Sequence, residues 1–170
     1  APFIVDAHTH SICPGEKSPL SFPTPDMNFS PTDWLAAMDS FSIESIMIAP
    51  IEPLTTNPER SSLEYYAPFG KSDPERFRYF EIFNPHGGKD HIDRICNSLN
   101  SPGCAGIKIH PVQHRTEADD DSYEAVYSIA SEYGKPILTH SWEISAYNPL
   151  QYMSHPDRFR RFLKRYPETV

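Results

Sequence analysis

Two histidines one residue apart close the first apolar run of the chain, FIVDAHTH at residues 3–10. The run starts apolar and then alternates, which reads as a buried strand that turns polar at its C-terminal end. Successive side chains of a strand alternate faces, so Asp6, His8 and His10 fall on one side and Ala7 and Thr9 on the other. Two imidazoles are thereby aimed at one point. Neutral imidazole nitrogen binds zinc at about 2.0 Å, and a strand holds such a pair without the cost of ordering a loop. An isolated His-x-His is equally what two surface or capping histidines look like. His140 adds weight: it closes a second short apolar run, PILTH at residues 136–140, although a core histidine is its plainer reading.

A third run, CAGIKIHP at residues 104–111, places Lys108 and His110 on one face and Ile107 and Ile109 on the other. If the isoleucines pack against helices, Lys108 and His110 point towards the histidines. A buried lysine is costly unless paired. Lys108 therefore divides between contact with an anionic substrate group and an ion pair with a carboxylate such as Asp6. His110 divides between a substrate contact and the start of the Pro111 loop. Asp6 itself reads as a hydrogen-bond partner for a histidine or as a buried structural carboxylate. Trp142 and Glu143, just beyond His140, either line the pocket or, for Trp142, pack under the loop at residues 147–153. His86, His91, His114 and His155 read as surface positions in loops or helix starts, His86 in NPHGG being the most interesting of them.

The elements that must position these residues follow from periodicity. Buried strands are expected at residues 3–10, 43–51, 77–85, 104–111 and 136–140. Between them, Ser30-Pro31-Thr32-Asp33 is a helix start ahead of Trp34, Met38 and Phe41. A second helix is expected from Asn57-Pro58, and Ile92, Ile95 and Leu99 make residues 89–100 amphipathic. Asp119-Asp120-Asp121 favours the start of a helix through its dipole, so no calcium site is needed to explain the run, and Gly134 ends that helix. A last helix from Ser154 carries Phe159, Phe162, Leu163 and Tyr166, with Arg158, Arg160, Arg161, Lys164 and Arg165 as its solvated face. Strands alternating with helices predict βαβ units, a parallel sheet and an α/β fold, whose sites lie at the C-terminal ends of the strands.

In that order, VDAHTH, FRYFEIFNP, GIKIHP and KPILTH resemble the amidohydrolase superfamily, and within it the amidohydrolase-related ("amidohydrolase 2") group of metal-dependent (β/α)8 TIM-barrel enzymes. The resemblance spreads over essentially the whole chain and implies a divalent metal, most often zinc, held by His8, His10 and His140. It also implies hydrolysis of a small molecule by metal-activated water or, in some branches, decarboxylating, hydrating or isomerising chemistry. For Lys108 it adds a third option, carboxylation to bridge two metals. The family also draws a histidine from strand six and a metal-binding, proton-transferring Asp from strand eight. No counterpart of either occurs before Val170, so residues 1–170 are expected to be one domain, the N-terminal portion of such a barrel with about five βα units, and to be catalytically impaired in isolation. The opening HTHS is similar to metal-dependent phosphoesterases and DAHTH to barrel-type deoxyribonucleases; a non-catalytic barrel fragment is the further alternative.

Composition narrows the partners. The 170 residues carry a formal net charge of −8, which disfavours nucleic acid and anionic membrane surfaces, because phosphate binding needs clustered Lys and Arg. A small-molecule substrate fits better. Three scattered cysteines, Cys13, Cys96 and Cys104, argue against a disulfide framework and for a reducing, cytoplasmic setting. No apolar run approaches the ~18 residues that span a bilayer. Apolar surface along an unclosed sheet would favour association, and a homo-oligomer is compatible with it.

Overall fold

The computed structural model describes residues 4–12, 30–55 and 60–169. Five strands, β1 (Ile4–Ser11), β2 (Ile43–Pro50), β3 (Phe77–Ile82), β4 (Cys104–Ile109) and β5 (Ile137–Thr139), pair in sequence order. Every pairing is parallel. The sheet curls into half of a barrel, so all five strands end at one mouth. The loop at residues 13–29 and the expected helix start at Asn57-Pro58 lie outside the described residues.

Seven helices accompany these strands among the described residues: α1 (Pro31–Phe41), α2 (Ile51–Thr55), α3 (Ser62–Ser72), α4 (Lys89–Leu99), α5 (Pro111–His114), α6 (Glu124–Tyr133) and α7 (Arg160–Arg165). The Ser30 signature forms the expected reciprocal cap: Asp33 N–H donates to Ser30 Oγ (3.2 Å) and Ser30 N–H to Asp33 Oδ2 (3.0 Å). Gly134 ends α6 at φ +59°, a left-handed position that glycine adopts without strain. Ile51 leaves the strand expected to contain it and opens α2 instead. Buried Glu81 of β3 accepts Ser62 N–H (3.2 Å), fixing the first turn of α3 to the sheet.

The helical layer packs on one sheet face. Ile46, Ile48, Phe77, Tyr79, Ile107 and Ile109 join Tyr65, Phe69, Ile95, Val126 and Phe162 in one core. This is the face expected for Ile107 and Ile109, and it turns Lys108 to the concave side. Gly106 permits β4 and β5 to meet: a Cβ there would stand 2.4 Å from Pro136 O, which accepts Ile107 N–H at 3.0 Å.

The C-terminal segment departs from the single helix expected from Ser154. Short 3-10 turns occupy Pro149–Ser154 and Pro156–Phe159, and α7 begins only at Arg160. Its arginines are also more than a solvated face. Arg158 bridges Glu117 (2.6 Å) and Asp119 (2.7 Å), Arg161 pairs with Asp121, and Arg165 with Glu124. The acidic run therefore has two roles: Asp120 caps the turn Asp121–Tyr123 that leads into α6, while its neighbours tether α7.

Candidate functional site

The mouth of the half-barrel receives the C-terminal ends of β1, β4 and β5, and with them His8, His10, Lys108, His110 and His140. On β1 the alternation is interrupted. Asp6 pairs with Ile46 and Thr9 with Ile48, three residues against two, so a bulge lies between them. His8 and His10 nevertheless stand edge to face with ring centres 4.6 Å apart. Asp6 does not reach an imidazole: its Oδ1 accepts the His8 backbone N–H at 3.1 Å, which corrects the expectation of a histidine-orienting carboxylate.

Hydrogen bonds set the ring tautomers. His10 Nδ1 lies 2.9 Å from Ala49 O; a carbonyl only accepts, so Nδ1 carries the proton and Nε2 keeps the lone pair. His110 Nδ1 accepts Gln113 N–H at 3.3 Å, leaving the proton on Nε2. His140 faces Gln151, whose Oε1 lies 3.1 Å from its Nε2. Its ring stacks on His110 at 3.8 Å between centres and 10° between planes.

Lys108 lies beneath these rings, fully buried, with Nζ 3.5 Å from His8 Nε2. Asp6 is not its ion-pair partner, and among the described residues no carboxylate lies within ion-pair distance of it. Burial pushes its amine down to about 8. The histidines respond in the same direction. Burial first, then the Lys108 cation and neighbouring imidazoles, bring His8 down to about 4. Burial, His140 and Lys108 bring His110 down to about 2. Burial also lowers His10 and His140 despite hydrogen bonds that oppose it.

A cleft of about 480 Å³ opens beside the stacked pair, lined by His110, Gln113, His140, Trp142, Asn148 and Gln151 among others. Trp142 is 64% exposed and lies on its wall, not under the following loop. The three carboxamides escaped the sequence reading because lone amides in loops carry no periodic or spacing signal. Of the remaining histidines, His91 and His114 depart from the surface reading. His91 is buried, its Nε2 accepting Asn84 N–H at 2.9 Å, and His114 Nδ1 bonds Tyr123 Oη at 2.8 Å. His86 stays exposed, its Nε2 bonding His114 O (3.0 Å) and Thr116 Oγ1 (2.9 Å), and His155 is likewise a surface cap.

The mouth suits a divalent cation in its donor chemistry, because neutral imidazoles need not lose a proton to bind one. Among the described residues, no three His, Cys, Asp or Glu side chains are grouped closely enough to hold an ion together. His8 and His10 form a pair, and His140 has its Nε2 engaged by Gln151.

No protein-family model matches the sequence, and no curated protein matches it. Solved structures do resemble the chain in fold. An amidohydrolase II superposes with a TM-score of 0.67 at 17% identity over 98% of this chain and 64% of its own. A 2,6-dihydroxybenzoate decarboxylase from Rhizobium gives 0.69 at 14% identity over 99% and 65%. A probable 2-pyrone-4,6-dicarboxylic acid hydrolase from Acinetobacter baumannii gives 0.58 at 12% identity over 81% and 49%. The chain thus has the fold of the amidohydrolase-related barrels and spans less than two thirds of the length of each of these three.

Proposed function

We propose that this chain contributes the metal-binding and substrate-binding mouth of an amidohydrolase-like enzyme acting on a small carboxylate-bearing molecule. The observation that carries the reading is the gathering of four neutral imidazoles and one buried lysine, with no carboxylate in ion-pair distance among the described residues, at the C-terminal ends of parallel strands, where such folds place their sites.

His8, His10 and His140 would hold the divalent ion, with zinc first among candidates for nitrogen donors. When bound, such an ion polarises a carbonyl and brings the pKa of a bound water towards ~7. Lys108 supplies the positive charge for a substrate carboxylate, since no carboxylate among the described residues answers that charge. His110, with its proton on Nε2, offers a hydrogen bond to a substrate oxygen, and Trp142 offers an aromatic wall. The hydrolase and the decarboxylase named above are both called after carboxylic acids, and Lys108 is the feature of this chain that suits a substrate of that class.

Zinc and cobalt titration of the purified chain, followed by calorimetry and cobalt absorption, tests the reading. One equivalent of ion should bind, and His8→Ala/His10→Ala should weaken binding by more than about 1,000-fold, since even outer partners of a ligand are worth 10–100-fold. No uptake after metal-supplemented purification, with unchanged thermal stability, would overturn it. Turnover is then sought on aromatic and pyrone carboxylates.

A further inference from the structure

One of the cleft amides does more than line a wall. Gln151 belongs to the 3-10 turn Pro149–Ser154, which is held on both sides: Ala118 N–H donates to Met153 O at 2.8 Å, and Arg158 Nε to Tyr152 O at 2.8 Å. Inside the turn, fully buried Ser154 sends its Oγ towards Gln151 O (3.3 Å) and Gln151 Oε1 (3.4 Å). The amide oxygen is therefore pinned before it meets His140. The His140 ring is held independently by its stack on His110 and by its backbone N–H, which continues the β4–β5 ladder to Ile109 O at 3.1 Å.

An amide oxygen only accepts, so a ring bonded to it through Nε2 must carry its proton there. From this geometry we infer that Gln151 is a positioning residue that fixes His140 in the Nε2–H tautomer and so leaves Nδ1 as the nitrogen offered to a ligand. His10 is fixed in the opposite sense, by Ala49 O on Nδ1, and offers Nε2. The two strand ends thus present different ring atoms, each selected by a neutral acceptor that adds no charge to the mouth. The part of this inference that concerns a metal ion rests on the function proposed above; the tautomer does not.

Nitrogen-15 spectroscopy of the imidazoles in the metal-free chain reads the tautomer directly. His140 should show a protonated Nε2 and a bare Nδ1 in the parent chain. Gln151→Ala should give a mixture of tautomers, while Gln151→Glu, which keeps an acceptor oxygen in place, should restore the single form. Cobalt affinity should fall about 10-fold or more in Gln151→Ala and recover in Gln151→Glu. A His140 spectrum unchanged in Gln151→Ala, or a bare Nε2 in the parent chain, overturns the inference. A tautomer that follows residue 151 while no variant binds cobalt upholds it and overturns the metal reading instead. Should Gln151→Ala fail to fold, the parent spectrum and Gln151→Glu still decide.

Discussion

Seven of the eight histidines of this chain form two groups that differ in what their nitrogens meet. His8, His10, His110 and His140 stand at the strand ends around Lys108. His86, His91 and His114 lie in the connections after β3 and β4, within the helical layer. Burial depresses basicity in both places, to about 2 at His110 and about 4 at His114. Weak basicity alone therefore does not mark the site. In the outer group the ring bonds go to backbone groups, Thr116, Tyr123 and Arg94, which knit loops and helix α4 together. In the mouth, rings face one another, a buried lysine and an open cleft, an arrangement that does little for packing and leaves lone pairs available.

Acidification tests what the groups share and should have the largest effect. The unfolded chain takes up protons at His110 and His114 near pH 6.5, whereas the folded chain does so only near 2 and 4. Stability therefore rises with pH below 6.5 and is lost on acidification; from pH 7 to 5 the two rings together cost about 4 kcal/mol. Urea unfolding at the two pH values measures this, and a stability independent of pH would remove the shared condition. Lys108→Met tests what the mouth alone contains. Its amine is held near 8 against an ordinary 10.5, so the folded state at pH 7 bears a penalty that a methionine of similar length removes. A gain of up to roughly 3 kcal/mol is expected. The parent chain should close that gap between pH 8 and 10.5, as folded Lys108 sheds its proton first. A loss of stability in Lys108→Met would mean that the cation is paired after all.

The division between the groups was only half legible in the sequence. Local rules gave the strand positions, the Ser30 cap and the Gly134 stop, because each depends on neighbours in the chain. Lys108 opposite Ile107 and Ile109 was legible too, since strand alternation holds on β4. It does not hold across β1, where a bulge follows Asp6 and that carboxylate accepts the His8 backbone N–H instead of an imidazole N–H. His91 and His114 were not legible as inward-facing because their partners, Asn84 and Tyr123, lie across a turn and not at a helix or strand period. Arg158 was not legible either, because its partners Glu117 and Asp119 lie about forty residues away and meet it only once the turn Pro156–Phe159 folds back. Pairings made by the curl of the sheet have no signature in local composition.

Tyr123→Phe tests the outer group with the smallest disturbance. Tyr123 is fully buried, its ring 6.2 Å from that of Phe83, and its hydroxyl bonds His114 Nδ1. Phenylalanine keeps the ring and removes the bond, stranding one buried nitrogen, for an expected loss of about 1–2 kcal/mol in urea unfolding. Metal affinity at the mouth should not change, because no mouth ring touches Tyr123. The two groups meet at the backbone bond from His114 N–H to His110 O (3.0 Å), and electrostatically His114 is the last of the groups that lower His110, behind burial, His140 and Lys108. His114 stays neutral with or without the hydroxyl, so even that influence should be unaltered in the variant. A fall in cobalt affinity of the same size as the fall in stability would therefore show one continuous network from Tyr123 to the mouth, and the distinction between packing histidines and ligand histidines would have to be redrawn.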